Sequence, residues 1–451
     1  MILFRDDELN YLEKSFHNQN NEMIVLYGQK YVGKQYLLNE FLKSKVSIRL
    51  QAIHATEKHQ LFLWSKQLYQ MGFDTQDVKD YPSFLDSIFH MQNKKTIICI
   101  EDFENILKQN SGLMQDLSNL LQSTCQVQII LVSSSISWIE NNMVQTVGKA
   151  ALSITGFLKV KPLPFEAIKR YFYNSSKEEC MQIYSILGGF PGLWKYFDIN
   201  LSARENMIRN LLPTKAFLHS EALQILQNEL REISVYATIL SVMAEGKYKL
   251  NEIYDLTGFS RAKISVYLKN LMELEVVEKL YSIETPGVRN TQKGIYRISH
   301  PFIRFYFAFL YPNSGFFLQM DEEKIYQEYV KPYIRAYENE TFYDICMQYI
   351  VRKNSERKLP IDYQKIGKWI GKAGVIPVIA TDASGRSIVA YCEYEKPIMT
   401  DADFEWLNYL VKQAEIKLEF SYLFAVREFD EKILLEEKVK GNIKTILLEE
   451  M

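Results

Sequence analysis

The sequence predicts a multidomain α/β protein, and three patterns carry that reading. An apolar run closed by glycine, "NEMIVLYG" (21–28), leads through a glycine- and lysine-bearing loop into a helical repeat. Near residue 231 the pattern shifts to short helices followed by paired strands, and beyond 330 to alternating strands flanked by helices. A chain of 451 residues is also too long for one hydrophobic core.

The first element suits a buried parallel strand. After the loop, "KQYLLNEFLKS" sets Tyr36, Leu37, Leu38, Phe41 and Leu42 at helical spacing. Strand, G-x-x-x-x-G-K and helix together form the context of a phosphate-binding loop. Gly28 and Gly33 let the backbone wrap closely, the helix N-terminus offers positive potential, and Lys34 adds a point charge toward the β and γ phosphates. The plainer alternative is a lysine-bearing turn. Gln35 departs from the pattern, since a Ser or Thr hydroxyl there usually gives magnesium an oxygen. A glutamine carbonyl is neutral too but sits on a longer stem, so magnesium chemistry should suffer more than phosphate binding.

"KKTIICIEDFENIL" (94–107) is the next strand. It ends in Glu101 then Asp102, the reverse of the usual order; Glu101 would hold the magnesium shell with Gln35, and Asp102 would orient an attacking water. Two ordinary acids capping a strand are the alternative. "QVQIILVSSSISWIE" (126–140) ends in Ser133, Ser134 and Ser135, either facing a ligand crevice or making a plain strand exit.

These segments, in this order, resemble the archaeal-type P-loop ATPases, a branch of the AAA-related STAND group. The resemblance rests on "FRDDELNYL" (4–12), "LYGQKYVGKQ" (26–35), "CIEDFENIL" (99–107), "LVSSSISWIE" (131–140), "GFLKVKPLPFEAIKRYF" (156–172) and "LGGFPGLWKYFD" (187–198). It implies a P-loop NTPase parallel sheet over 1–155 and a helical lid over 156–230. It would put adenine near Phe4 and Arg5 and the phosphates on Gly33 and Lys34; Gly28, Tyr31, Val32, Gln35 and Ser134 are the further candidates for nucleotide contact.

"KLNEIYDLTGFSRAKISVYLKNLMELEVVEKL" (249–280) reads as helix, Gly258 turn, then a helix capped by Ser260, with Ile264, Leu268 and Leu271 buried. Two strands around a polar loop follow over 276–299, completing a winged helix-turn-helix over 231–312. Arg261 and Lys263 open the would-be recognition helix; Arg289, Lys293 and Arg297 decorate the wing. Over 231–304 there are 11 Lys and Arg against eight Asp and Glu, a modest excess for a DNA-binding module. DNA contact and an intramolecular clamp both stay open.

A linker is expected after "YPNSGFF" (311–317), then a final domain over 330–451. Strands joined at Asp382–Gly385, helices at 333–352 and 402–415, and a strand at 422–429 resemble the restriction-endonuclease-like domain that ends many members of the family. Laid on that pattern, the metal-binding positions fall at Tyr343, Pro377 and Tyr391–Cys392–Glu393, so the nuclease is expected to be degenerate. Glu340, Asp344 and Glu395 lie nearby, one register slip away.

Composition frames the rest. With 47% hydrophobic and 24% charged residues and a net charge of −2, nothing global advertises nucleic acid or membrane. Five cysteines without a C-x-x-C pair argue for reduced thiols, and His54 and His59 have the wrong spacing for a metal pair. No secretory signal is visible, and "PFIRFYFAFLYP" (301–312) is too short to span a bilayer. The expectation is a cytoplasmic, ATP- or ADP-binding scaffold or regulator with weak or absent hydrolysis, no nuclease activity, and a protein partner or self-assembly as its output. The alternative is an active ATPase that binds DNA through its winged helix in a defence or mobile-element setting.

Overall fold

The computed structural model describes residues 4–89, 94–109, 112–284 and 294–451. They divide into two compact units, Met1–Pro162 with Phe190–Gly192, and Leu163–Gly189 with Leu193–Met451.

The first unit is built on five parallel strands: β1 Glu22–Tyr27, β2 Ser47–Gln51, β3 Thr96–Glu101, β4 Val127–Ser133 and β5 Gly156–Lys159. Their order is β2-β3-β4-β1-β5. A parallel sheet must be covered on both faces, and its central strands are accordingly mostly apolar; every residue of β4 is buried, Gln128 and Ser133 included. Edge strand β2 alternates instead, with Ile48 and Leu50 buried and Ser47, Arg49 and Gln51 on the wetter side. Helices Glu57–Gln70 and Tyr81–Phe89 bring Trp64, Tyr81 and Phe84 onto one face. Register matters most for function. Tyr27 pairs with Ser133, Val132 with Glu101, and Gln51 with Glu101, so four strands end level. Ligands of open α/β sheets bind beyond that carboxyl edge, where the chain leaves β1 and β3 on opposite sides of an intervening strand.

The second unit is organised by the 22-residue helix Ile334–Ser355. Helices Phe165–Tyr171 and Lys177–Leu187, the latter closed by a Ser176–Glu179 capping box, meet it through Gln348, which accepts from the Phe165 N–H at 2.9 Å. Glu178 accepts from Arg335 at 2.8 Å and from Arg427 at 3.0 Å. Helices Leu250–Thr257 and Arg261–Glu273 flank Gly258 in a left-handed turn, and Ser260 caps the second by accepting from the Lys263 N–H. Strands β6 Val277–Leu280 and β7 Ile295–Ile298 pair antiparallel as the base of the wing. The stretch expected as a linker is instead short helical turns, at Phe316–Leu318, Glu322–Ile325 and Tyr326–Val330. Ile325 and Val330 are buried there, which anchors it.

The last sheet is mixed: β8 Lys365–Ile370, β9 Val375–Thr381, β10 Arg386–Glu393, β12 Lys417–Ala425 and β14 Ile443–Leu447, in the order β14-β12-β10-β9-β8. Strands β8, β9 and β10 run antiparallel, while β10, β12 and β14 are parallel. A small parallel pair, β11 Ile398–Met399 with β13 Glu428–Phe429, sits beside it. Among the described residues no helix is long and apolar enough to cross a membrane.

Glu338, on the organising helix, is fully buried; one oxygen accepts from the Tyr394 hydroxyl at 2.7 Å and the other has no hydrogen-bond partner. Burial raises its carboxyl from an ordinary 4.5 to about 7, with Arg335 and Glu178 nearby. The folded state therefore holds the proton more tightly than the unfolded chain, and stability falls as pH rises through that window. Glu338 should account for about 2 kcal/mol of the stability that urea denaturation shows being lost between pH 5 and pH 8, at roughly 1.4 kcal/mol per pKa unit, and Glu338→Gln should remove that part of the slope.

Candidate functional site

The site lies on the carboxyl edge of the first sheet. Gly28 leaves β1 with φ +156°, and a Cβ there would sit 2.4 Å from the Val160 carbonyl oxygen. Gly33 (φ +102°) precedes helix Lys34–Phe41; its Cβ would meet Pro191 at 2.9 Å. Only glycine accepts such backbone without strain. Tyr31 is left-handed as well (φ +68°), and its carbonyl accepts the Gly192 N–H at 2.9 Å. The Phe190–Gly192 segment is thus packed on the loop through Pro191 and Gly192. Val32 is buried, and Lys34, buried too, donates to the carbonyls of Gly28 (2.6 Å) and Gln29 (3.0 Å).

Phe4 carries a positive φ of 54°. Arg5 is buried and donates to the carbonyls of Val32 (2.8 Å) and Lys161 (2.7 Å) and to Glu8 (2.8 Å). Burial lowers its pKa, opposed by Glu8. Arg5 therefore binds the N-terminal segment to both the loop and the chain beyond β5. At the end of β4, Ser133 is buried and its hydroxyl accepts the Ser135 N–H at 3.0 Å, while Ser134 is partly exposed.

The acidic strand end is crowded. Arg49, on β2, donates through Nε to Glu101 Oε1 at 2.9 Å and through Nη2 to the same oxygen. The same nitrogen also donates to the Gln35 carbonyl, and Nη1 to Asn39. The Gln35 amide donates to the other Glu101 oxygen. Gln35, Glu101 and Arg49 thus form a closed ring of hydrogen bonds. Asp102 lies just beyond, in a left-handed conformation (φ +50°), and accepts from Gln51 Nε2 at 2.8 Å.

Magnesium needs near-octahedral oxygen ligands at short range. Here the Gln35 carbonyl and both Glu101 oxygens are turned to N–H donors, with a guanidinium between them, so the residues present do not fit the ion. Sequence reasoning missed Arg49, Asn39 and Gln51. The available signal was a lone arginine on the polar side of "SIRLQ", in register with the acidic strand. It missed Glu104 too, a buried side chain whose carboxyl burial raises to about 7.

In the second unit, Arg261 stacks on Tyr254 at 4.0 Å and donates to Asn251, and Lys263 lies 4.7 Å from the Phe259 ring. Arg289 and Lys293 fall outside the described residues. Arg297, expected on the wing surface, is turned inward instead. It bonds Glu278 at 2.7 Å and Asp344 at 2.9 Å, because acids on β6 and the organising helix draw it there. Lys368 of β8 adds to Asp344 at 3.7 Å, and Arg304 meets Glu340 at 2.9 Å. Backbone bonding between Ile283 and Lys368 ties the wing's base to the edge of the last sheet. Glu393 accepts the N–H groups of Glu395 and Lys396, and Glu395 accepts from Asn339. Tyr343, Pro377 and Tyr391 carry no carboxylate, and among the described residues no three His, Cys, Asp or Glu side chains are grouped to hold a metal.

In sequence, residues 3–197 match the family described as an ATPase domain predominantly from Archaea. Residues 237–279 match the bacterial regulatory protein family of the arsR type, and 306–415 a family of archaeal and bacterial proteins of unknown function. Over 391 residues the chain is 29% identical to an uncharacterized protein of Methanocaldococcus jannaschii, spanning 86% of this chain and 85% of that one. An uncharacterized ATP-binding protein of the same archaeon is 38% identical over 45 residues, 10% of this chain and 76% of its own. In structure, the chain is similar to the Walker-type ATPase of Pyrococcus abyssi, with a TM-score of 0.50 at 18% identity over 68% of this chain and 96% of that one, a likeness of fold.

Proposed function

We propose, from the premise that residues 3–197 form an archaeal-type ATPase domain, that this chain is a nucleotide-gated scaffold or regulator. It holds ATP or ADP on Gly28, Tyr31, Val32, Gly33 and Lys34, with adenine near Phe4 and Arg5 and Ser134 facing the nucleotide, and turns it over weakly or not at all. One contrast carries the reading: the phosphate-cradling half of the loop keeps its glycines and lysine, while the half that would handle metal and water is closed upon itself. Gln35 and Glu101 are engaged by Arg49, and Asp102 by Gln51. Electrostatic stabilisation of a leaving phosphate needs groups aimed at the reacting atoms, and these are aimed at one another.

The gating resembles that of STAND proteins: bound nucleotide sets the lid, and the rest of the second unit presents the output to a protein partner or another copy. In support, the winged helix, the lid helices and the last sheet are all bonded to one helix, Ile334–Ser355, through Arg297, Phe165 and Lys368 in turn. We read residues 330–451 as a degenerate restriction-endonuclease-like domain. Its mixed sheet supports that, and its nearby acids Asp344, Glu340, Glu393 and Glu395 are spent on ion pairs and caps. Calorimetry tests the reading: the wild type should bind ATP or ADP, Lys34→Ala should weaken binding at least tenfold, a loss of about 1.4 kcal/mol or more, and phosphate release should stay near background. Sustained turnover that depends on Lys34 would instead establish an ATPase.

A second reading, DNA contact, is favoured by the arsR-type match at 237–279 and the capped helix Arg261–Glu273. Arg261, Lys263, Arg289 and Lys293 would meet phosphates. Reversing Arg261 and Lys263 to glutamate should weaken binding to duplex DNA and flatten its salt dependence by about one power of salt concentration for each phosphate no longer neutralised; unchanged binding would point to another surface.

A further inference from the structure

The two departures in the loop's metal position share one explanation. Where a hydroxyl residue and an aspartate would be expected, the chain has Gln35 and Glu101, each longer than the residue it replaces. Longer arms enclose a larger cation. Glutamine offers a carbonyl to an arginine and an amide to a carboxylate, and both of its ends are used in that way. Arg49 reaches Glu101 because β2 pairs directly with β3, with Gln51 opposite Glu101 and Arg49 two residues earlier on the same face. Asn39, one turn beyond Gln35 on the helix, fixes the far edge of the guanidinium. A planar fork held on three residues is a preorganised charge, and an arginine stays charged across the working pH range.

We infer that nucleotide is held in this loop without a divalent metal, and that the Arg49 guanidinium is the built-in cation standing between Gln35 and Glu101. This rests on the reading of the loop as a nucleotide site. Lys34 and Arg49 bring two positive charges to the loop, set against Glu101, with Asp102 just beyond it bonded to Gln51. A divalent ion entering between Gln35 and Glu101 would have to expel a guanidinium from four hydrogen bonds. Removing Arg49 frees both oxygens and should hand the position to the metal.

The experiment is calorimetric titration of the full chain with ADP, once in excess EDTA and once in excess MgCl2. The wild type should bind with affinities within about twofold of each other, whereas Arg49→Ala should bind about tenfold more weakly in EDTA and recover when magnesium is added. Wild-type binding that appears only with magnesium overturns the inference and leaves the nucleotide reading standing. Arg49→Ala binding ADP in EDTA as well as the wild type does overturns it too. Absence of binding in both buffers ends both readings. Should Arg49→Ala fail to fold, the wild-type comparison decides alone.

Discussion

The ion pair between Arg49 and Glu101 is the interaction on which the loop's chemistry depends. It exists because the strand order places β2 next to β3, so that a side chain on the sheet's edge strand reaches an acid at the end of its neighbour. In a loop of this kind the residue after the lysine and the acid at the strand end ordinarily serve one ion. Here both are bonded to one side chain, Arg49. On the proposed reading, nucleotide binding and metal chemistry are separated here by a change of cation.

The second unit uses charge the same way, for holding rather than reacting. Asp344 and Glu340, which sequence alone would place near a nuclease centre, are neutralised by Arg297 and Arg304. Partly buried pairs of this sort contribute little net stability but are costly to break singly, since the survivor is left unpaired. That asymmetry fixes the geometry of the winged helix against the last sheet, and with it the arrangement that the lid helices share through Gln348 and Glu178.

The legible parts of the sequence were those whose physics is local. The apolar run before Gly28, the serine cap at Ser260 and the turn at Asp382–Gly385 each announce an element through neighbours in the chain, and each stands where expected. Arg49 was not legible, because its meaning comes from pairing with Glu101, 52 residues away in sequence. Arg297 misled for the same reason, since a basic residue on an amphipathic strand looks solvent-facing until Asp344 is known to lie opposite it. Strands β8 and β14 close the last sheet from short, half-polar stretches with little periodicity of their own; tertiary pairing, not pattern, makes them strands.

Arg49 and Glu101 are expected to act as one unit at the loop. The direct measurement is a double-mutant cycle with Arg49→Met, Glu101→Gln and the pair together, read by native-state hydrogen exchange of the β2 and β3 amides. A coupling of about 1 kcal/mol or more is expected, as befits a hydrogen-bonded pair only partly open to solvent. Effects that add to within about 0.3 kcal/mol would contradict it, since the two side chains would then be independent.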